Sequence, residues 1–467
     1  MASKSLPLQS WNLNSSKPAS GSILMNCYAE QLPEDAKTPF LIQRTPGIST
    51  KATIGNGPTY NGHAAFGYIW VVSGTKLYRV SGPTASYAAT LIGDIGTISA
   101  NGVDIEHNDT SIVVVNNPNA FYYNNSTSTF GQITDVDFPG ASDVEFLDNF
   151  LLFIEPDSGR FFGADLGSST SFDALNFATA EGSPDDLIGI KVDHRQAVLF
   201  GTESVEIWGN TGVAGFPFER AINGYVEIGC LSGQSIAKQD NSVFWLANDY
   251  TIRRLDGATP VRVSTHAVEQ SIVRSTITAC RAFSYSQGGH LFYVISFPEI
   301  TWVYDCTIQR WHNRSTYGYD RWTAGWHAQA FGLEIVGHTD DALIGTLEPD
   351  IYSEWGGIQR AAWQFQTIYA EDRRAIHDRF DMVVEYGVGT STGQGSDPEI
   401  MLDYSDDGGI TWESLPNKKL GPIGNYIYTV DWEKLGSARQ RTYRGAVSDP
   451  VKVAITDAQV SVRGGRW

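Results

Sequence analysis

Short runs of β-branched and aromatic residues, separated by polar turns, recur along this chain of 467 residues. The stretch Gly67–Val80, GYIWVVSGTKLYRV, holds two such runs around Ser73-Gly74-Thr75, and a short glycine-containing break between such runs predicts a β-hairpin. Six further stretches have the same form: Ile112–Tyr123, Phe150–Gly163, Val198–Gly209, Val243–Leu255, Leu291–Asp305 and Leu333–Leu347. They start roughly 38–48 residues apart, which is the spacing of four-stranded propeller blades. The pattern favours a β-propeller over an all-β protein with hairpins at chance spacing.

The distribution of these runs divides the chain into three parts. Residues 1–50 are rich in Ser, Pro and Asn and carry few strand-like runs, which is typical of an extended arm. Residues 51–356 hold all seven hairpins. Residues 357–467 have differently spaced strand-like runs at Met382–Tyr386, Ile400–Tyr404, Tyr426–Trp432 and Val451–Ile455. The predicted fold is all-β: an irregular six- or seven-bladed β-propeller with an extended N-terminal arm and a smaller C-terminal β-sandwich-like domain.

A turn motif with a clear mechanism lies in the C-terminal part. The stretch Ser405–Trp412, SDDGGITW, fits the Asp-box pattern S-x-D-x-G-x-T-W. Asp407 can accept hydrogen bonds from turn amides, Gly408 and Gly409 allow positive φ, and Trp412 can pack inward. The motif therefore predicts a folding device and not a catalytic site.

Two stretches between the hairpins could serve partners or simple packing. Trp302, Trp311, Trp322 and Trp326 crowd one segment, and because large aromatic side chains are mostly buried, we expect them in the core. Phe172–Asp186 is the longest polar, small-residue stretch between hairpins. We expect it to be a plain surface loop, since most loops only connect.

The charge balance limits the kind of partner. The formal net charge is -19, from 33 Lys and Arg against 52 Asp and Glu. This argues against a nucleic-acid binder with a basic face, although a negative surface would let DNA pass without sticking to it. The ordinary alternative is that the charge provides solubility.

The cysteines and apolar runs indicate a protein that folds in a reducing cytoplasm. No CxxC pair occurs, and no stretch has the character of a signal peptide or the length of a membrane span. Buried thiols are the expectation for the four cysteines, Cys27, Cys230, Cys280 and Cys306.

Several short motifs, in order, resemble a known family. Near the start they are Asn26–Glu30 (N-x-Y-x-E), Lys37–Pro39 (K-x-P), Arg44–Ile48 (RTPGI), Leu77–Val80, Leu91–Gly96 and Ser99–Gly102. Near the end they are Asp397–Ile400, the SDDGGITW hairpin, Leu420-Gly421, Trp432, Leu435–Arg439 and Ser448–Val451. Together they resemble the tail-hub or nozzle proteins of short-tailed bacteriophages (podoviruses), the packaged-DNA stabilisation family.

That resemblance implies a structural virion protein. Its subunits would form a hexameric homo-oligomer ring below the head–tail adaptor protein, extend the DNA channel, retain packaged DNA, and anchor tail fibres, spikes or a needle. Genomic DNA would pass without sequence-specific binding. The protein would be located in the virion tail after assembly in the host bacterial cytoplasm, and the N-terminal arm and Ser448–Pro450 would be contact elements.

No catalytic, cofactor-binding or metal site is predicted. The chain lacks a phosphate-binding loop, an HExxH motif and a G-x-S-x-G elbow. No histidine cluster has zinc spacing, and clustering in three dimensions stays open. The scattered histidines are His63, His107, His194, His266, His290, His312, His327, His338 and His377.

Two other functions remain open at the level of sequence. A phage glycan hydrolase on a propeller would need paired carboxylates, and nothing selects a pair among Glu155 with Asp157, Asp185 with Asp186, and Asp305. A receptor-binding module would need an exposed aromatic groove. The expectation is a protein that is not an enzyme.

Overall fold

The structure is a computed structural model, and it describes residues 2–11, 21–36, 38–82, 87–370 and 373–464. The chain forms two compact units. The sandwich unit comprises Met1–Ser49, Ile300–Trp322 and Leu347–Trp467, and the propeller unit comprises Thr50–Glu299 and Thr323–Thr346. Within the described ranges, no helix has the length and apolar character to span a bilayer.

The first four strands of the chain lie within the predicted arm, and the fifth extends beyond it to Thr53. They are β1 (Ala2–Ser5), β2 (Ile23–Met25), β3 (Cys27–Gln31), β4 (Phe40–Arg44) and β5 (Gly47–Thr53). Residues 1, 12–20 and 37 of the predicted arm lie outside the described residues. The division of the chain at residues 50 and 356 stays a prediction.

Five antiparallel sheets of four consecutive strands follow in the propeller unit. The strands of the first three are β6 (Thr59–Ala65), β7 (Tyr68–Ser73), β8 (Lys76–Ser81), β9 (Ala88–Asp94), β10 (Asp104–His107), β11 (Ser111–Asn116), β12 (Asn119–Asn124), β13 (Thr129–Gln132), β14 (Asp143–Leu147), β15 (Phe150–Ile154), β16 (Arg160–Ala164) and β17 (Phe172–Thr179). Those of the next two are β18 (Leu187–Asp193), β19 (Gln196–Gly201), β20 (Val205–Asn210), β21 (Phe218–Val226), β22 (Ala237–Gln239), β23 (Ser242–Leu246), β24 (Ile252–Asp256) and β25 (Thr259–Arg262).

The helical residues and the remaining hairpins come next. Helix α1 spans His266–Ile272. The strands after it are β26 (Arg281–Gln287), β27 (His290–Phe297), β28 (Ile300–Asp305), β29 (Arg310–Arg314), β30 (Ala324–Ala330), β31 (Leu333–His338) and β32 (Leu343–Glu348). Of these, β28 and β29 belong to the sandwich unit.

The first strand of each sheet in the propeller unit lies beside the first strand of the next. In chain order these strands are β6, β10, β14, β18, β22, β26 and β30, and β30 in turn lies beside β6. Side chains join neighbouring sheets as well, as where Asn61 Nδ2 donates to the Val103 carbonyl at 2.8 Å. A closed circle of radial antiparallel sheets is a β-propeller, so the predicted propeller is confirmed.

The predicted hairpins are the second and third strands of these sheets. In the first sheet, β7 and β8 pair with Ser73 opposite Lys76, and Gly74 takes a φ of 57° in the turn, a conformation that glycine adopts without steric cost. The second strands are apolar along their length because neighbouring blades cover both faces; all five residues of β15 and of β23 are buried.

The first and fourth strands of each blade were not predicted. The expectation for Phe172–Asp186 was wrong, because a fourth strand lies there. Phe172–Asp186 is not a plain loop, because its first eight residues form β17. Among the described strands, this outer strand pairs with β16 alone, and its residues 173–175 are exposed. It therefore carries little of the apolar alternation that indicates a strand.

The sandwich unit contains the two sheets of the sandwich and a short hairpin over residues 353–358. Its C-terminal strands are β33 (Ser353–Glu354), β34 (Gly357–Ile358), β35 (Ala361–Gln364), β36 (Ile368–Tyr369), β37 (Ala375–Val384), β38 (Glu399–Ser405), β39 (Glu413–Ser414), β40 (Lys418–Lys419), β41 (Val430–Glu433), β42 (Ser437–Ala438), β43 (Gln440–Val447) and β44 (Ala454–Gly464). One sheet has the order β3-β4-β44-β37-β41, with β1 on β44, and the other contains β28-β29-β2-β35-β43-β38-β39.

A shared aromatic core joins the two sheets. The Phe380 ring lies 4.6 Å from that of Tyr443 across the sandwich and 6.0 Å from that of Trp432, and all three residues are buried. The predicted sandwich is therefore confirmed. Strands β1–β4 also enter its sheets, which the pattern of the first 50 residues did not predict.

The Asp box forms the turn that its sequence predicts. Asp407 accepts hydrogen bonds from the backbone amides of Ile410 at 2.8 Å and Thr411 at 2.9 Å, and Gly408 and Gly409 have φ of 77° and 89°. Trp412 is only partly buried, and its ring faces the guanidinium of Arg444 instead of the core.

The expected burial of the tryptophans and cysteines is also found. Trp302 and Trp322 are fully buried and Trp311 and Trp326 are at most 4% exposed. All four cysteines are buried thiols.

A buried polar network ties together distant segments of the sandwich unit. Arg44, 3% exposed, donates from Nε to Gln359 Oε1 at 3.0 Å and from Nη1 to the Val451 carbonyl at 2.9 Å. Further acceptors are the carbonyls of Tyr352, Gln359 and Asp449. Burial lowers the pKa of Arg44 to about 10, so the guanidinium is still charged at neutral pH.

A second buried arginine extends this network. Arg314 donates from Nη2 to Glu354 Oε1 at 3.1 Å and to the Pro46 carbonyl at 2.9 Å, and its guanidinium lies 3.6 Å from the centroid of the Trp322 ring. A Cβ on Gly47 would lie 2.0 Å from the Ser353 carbonyl oxygen. The stretch Arg44–Ile48 is thus a packing motif, in which Gly47 is required for the close approach of two backbones.

We expect Arg44→Lys to lower the free energy of unfolding by about 3 kcal/mol, because an ammonium group cannot reach the acceptors that the guanidinium serves and leaves buried carbonyls unpaired. Urea denaturation followed by tryptophan fluorescence measures the change. Arg195→Lys is the matched control, since that side chain is 81% exposed, and it should change the stability by less than about 0.5 kcal/mol. Equal effects of the two variants would contradict the role given to Arg44.

Candidate functional site

Charged residues concentrate on three consecutive first strands of the propeller. Strand β10 carries Asp104 and Glu106, β14 carries Asp143 and Glu145, and β18 carries Lys191. Residues two apart on a strand share one face of the sheet, so the D-x-E pattern repeats a pair of acidic side chains on equivalent strands of two blades. We call these four carboxylates the acidic cluster.

Lys191 connects the acidic cluster to the next blade. Its ammonium group contacts the Glu145 carboxylate, and Asp143 Oδ2 accepts a hydrogen bond from the Ile190 amide at 2.8 Å. Asp104 Oδ2 accepts from Gln234 Nε2 at 3.4 Å. The side chains of neighbouring blades therefore meet at the first strands.

The acidic cluster holds more carboxylates than nearby cations can balance. Burial raises the pKa of Asp104 to about 6 and that of Glu145 to about 7. The pKa of Asp143 is raised well above its usual value by burial and then by the charge of Asp104. Burial opposes the charge of Lys191, but Glu145 and the other acids outweigh it and raise the lysine pKa. Lys191 is therefore charged, and part of the acidic cluster holds protons near neutral pH.

A histidine pair flanks the acidic cluster on the first two blades. His63 Nε2 on β6 lies 2.8 Å from His107 Nδ1 at the end of β10. Glu106 Oε1 lies 3.1 Å from His107 Nδ1 and 3.7 Å from His63 Nε2. Burial lowers the pKa of His63 to about 4, so its imidazole is neutral at physiological pH.

These three side chains are the group of the described residues that could hold a metal ion. The expectation of scattered histidines left three-dimensional clustering open, and the structure brings His63 and His107 together. Others have local partners: His194 Nδ1 lies 2.7 Å from Asp193, and His377 Nδ1 lies 3.0 Å from the Tyr443 hydroxyl. The sequence signal that could have indicated the cluster is the repeated DIEH and DVEF of β10 and β14.

Part of the acidic cluster lines an open cavity of about 390 Å³ in the propeller unit. Asp104, Asp143 and Lys191 lie in its wall with Gln234. The groups available there are carboxylates, an ammonium and amides, which can bind cations or exchange protons.

Two of the acids considered for a glycan hydrolase, Glu155 and Asp185, have structural partners. Glu155 pairs with Arg160 at 3.0 Å. Asp185 accepts hydrogen bonds from the backbone amides of Glu203 at 2.7 Å and Ser204 at 2.9 Å. In these contacts the carboxylates stabilise turns of the backbone.

The fold and this site define an all-β protein of a propeller and a sandwich, without a recognisable catalytic motif. The family model described as "Bacteriophage P22 Gp10, beta-propeller" matches residues 21–352, and that described as "Bacteriophage P22 Gp10, beta-sandwich" matches residues 362–463. The chain belongs to this family of bacteriophage P22 Gp10, and it is a structural protein of a phage tail. The resemblance found in the sequence motifs is thereby confirmed.

No curated protein sequence matches the chain. Solved structures that are similar include the computationally designed Ika8 protein (11% identity, 65% of this chain and 100% of that chain covered, TM-score 0.39). The WD40 domain of Neurospora crassa Pan2 is also similar (9% identity, 62% and 89% covered, TM-score 0.42), as is the N-terminal domain of Nup159 (9% identity, 70% and 99% covered, TM-score 0.40).

We expect Asp143→Asn to stabilise the protein more at pH 8 than at pH 5. A carboxyl whose folded pKa is raised contributes stability that is fully present below the unfolded pKa and is lost as the pH rises through the folded pKa. An amide does not lose a proton as a carboxyl does, so the Asp143→Asn variant keeps its stability as the pH rises. Thermal unfolding midpoints at both pH values measure the difference between variant and parent.

Asp407→Asn is the control for this pH dependence. Hydrogen bonds from Thr411 and Ser405 hold the pKa of Asp407 below its usual range, so its contribution is lost only as the pH falls below the unfolded value. Its effect should be the same at pH 5 and pH 8. If Asp143→Asn also acted equally at both pH values, the raised pKa of Asp143 would be wrong.

Proposed function

We propose that the chain is a tail-hub or nozzle subunit that forms a hexameric ring below the head–tail adaptor protein. The ring extends the DNA channel, retains packaged DNA and anchors tail fibres, spikes or a needle. The observation that carries the proposal is the match of both domains to the P22 Gp10 family, over residues 21–352 and 362–463. The role requires no chemical step, and we propose that the protein is not an enzyme.

The charge of the chain agrees with a passage for DNA. With a net charge of -19, the surface repels the phosphate groups of DNA. This repulsion acts at short range, because salt screens charges at longer distances. The genome would then slide past without sequence-specific binding. In this proposal the subunit is made in the host bacterial cytoplasm and ends in the virion tail, with residues 1–50, 51–356 and 357–467 acting as arm, propeller and C-terminal domain.

An exposed apolar loop of the sandwich unit is suited to contact a second copy of the chain. Ile423, Tyr426 and Ile427 are 66%, 72% and 87% exposed. The loop is held in shape, since the Gly424 amide donates to the Gly387 carbonyl at 3.2 Å and the Asn425 amide to that of Pro422 at 3.0 Å. Closed rings need a head-to-tail interface in which such a patch meets a different surface of the next subunit.

We expect the purified, concentrated chain to form rings with sixfold symmetry in negative-stain electron microscopy. Ile427→Asp should reduce the ring fraction by about tenfold, because a charge in the interface centre costs more than about 1.4 kcal/mol. Ile222→Asp, at an isoleucine that is 95% exposed in the propeller unit, is the matched control. Equal loss of rings in both variants would contradict the proposal that this loop lies in the interface between subunits.

We expect the chain to dock at the portal vertex of purified DNA-filled, tailless heads and to protect their DNA. Electron microscopy shows the docking, and the DNA that survives added nuclease after mild heating measures the retention. Heads mixed with the Ile222→Asp variant should show the same docking and the same DNA retention as heads mixed with the parent chain. A chain that stays monomeric and never docks would contradict the proposed role, and hydrolysis assays on host surface glycans would then test the enzyme alternative.

A further inference from the structure

His63, Glu106 and His107 present three donor atoms to one point between the first two blades of the propeller. The pairs of donor atoms are separated by 2.8 Å for the two histidine nitrogens, 3.1 Å for Glu106 to His107, and 3.7 Å for Glu106 to His63. Two nitrogens come from different blades, and the carboxylate comes from the second blade. Glu106 and His107 are adjacent in the sequence, and His63 comes from a distant strand.

The separations match those of ligands around a tetrahedral zinc ion. Bonds of about 2.0–2.1 Å to nitrogen and oxygen place tetrahedral ligand atoms about 3.3 Å apart. The three separations lie on both sides of that value. A triangle of these three separations therefore lets one ion lie at bonding distance from all three donor atoms.

The donor types select the kind of ion. Two imidazoles with one carboxylate suit zinc and its first-row neighbours, whereas Mg²⁺ and Ca²⁺ prefer oxygen ligands alone. A bound ion needs the lone pairs of His63 Nε2 and His107 Nδ1, so each ring would carry its proton on the other nitrogen. The positive charge of Lys191 is offset by its contact with Glu145.

The site is accessible but supported. The side chains of His63, Glu106 and His107 are 23%, 17% and 39% exposed, so that an ion can reach them from solvent. The Phe66 ring packs edge-on against His107 at 5.7 Å, and the His107 backbone amide donates to Glu106 Oε1 at 2.8 Å. Packing and the backbone thus limit the positions of two of the three donors.

We propose that His63, Glu106 and His107 bind one zinc-class divalent transition-metal ion, which links β6 of the first blade to β10 of the second. The ion acts as a structural clip on the propeller. It stabilises the folded chain, since the unfolded chain does not hold the three donors together.

Titration of the untagged, full-length chain with Zn²⁺ in a calorimeter tests the proposal. We expect one ion bound per chain, a higher thermal unfolding midpoint with Zn²⁺, and no such effect of Mg²⁺. Co²⁺ bound at the same site should show the visible absorption bands of a tetrahedral cobalt complex. Added Zn²⁺ should displace the Co²⁺ and remove these bands. Failure of the parent chain to bind Zn²⁺ would overturn the proposal.

Variants assign the ion to these residues. His63→Gln and His107→Gln should each weaken Zn²⁺ binding by at least about tenfold, because loss of even a supporting group costs that much. His266→Gln is the matched control, at a histidine that is 83% exposed in the same unit, and it should bind as the parent does. Unchanged binding in the double variant of His63 and His107 would overturn the assignment.

A measurement on the parent chain tests the same assignment even if a variant does not fold. Diethyl pyrocarbonate modifies accessible imidazoles, and peptide mass spectrometry locates the modified residues. Zn²⁺ should protect His63 and His107 and leave His266 as reactive as before. Equal modification of His63 and His107 with and without Zn²⁺ would contradict the proposal.

Discussion

The sandwich unit depends on the burial of two arginines with almost no access to water. A buried guanidinium is costly unless its donors find acceptors, and the acceptors of Arg44 come from residues 352, 359, 449 and 451. Arg314 adds Glu354 and the Pro46 carbonyl. The start, middle and end of the chain must therefore meet within this unit before both charges are satisfied. The sequence RTPGI, which carried part of the family resemblance, is a requirement of this packing.

The sequence was sufficient to predict the parts of the fold in which the hydrophobic effect acts along a whole strand. The second strands of the blades, such as Phe150–Ile154, are buried on both faces, so their apolar runs are continuous. The first and fourth strands have no such pattern. First strands carry charged residues such as Glu106 and Lys191, and outer strands such as Phe172–Thr179 face solvent. Polar residues in a short segment are also typical of a loop, so pattern alone could not distinguish these strands.

The first four strands show a related limit. The start of the chain is polar in composition, yet β3 alternates buried and partly exposed residues and pairs with β4 along five residues. Strand β4 in turn pairs with β44, which comes from the far end of the chain. Composition describes the average of a segment, whereas a strand in the sheet needs apolar residues only at every second position.

The candidate site could not be predicted residue by residue, but its contacts follow a rule that the repeat itself defines. His63 and His107 are 44 residues apart, Glu145 and Lys191 are 46, and Asp143 and Ile190 are 47. Gln239 and Tyr285, also 46 apart, are joined in the same way. These separations fall within the roughly 38–48-residue spacing of the hairpins, because equivalent strands of consecutive blades are neighbours around the propeller. In a propeller, residues one blade length apart are thus contact partners, as residues four apart are in a helix, and a sequence aligned on its hairpins would place a carboxylate opposite a lysine and a histidine opposite a histidine.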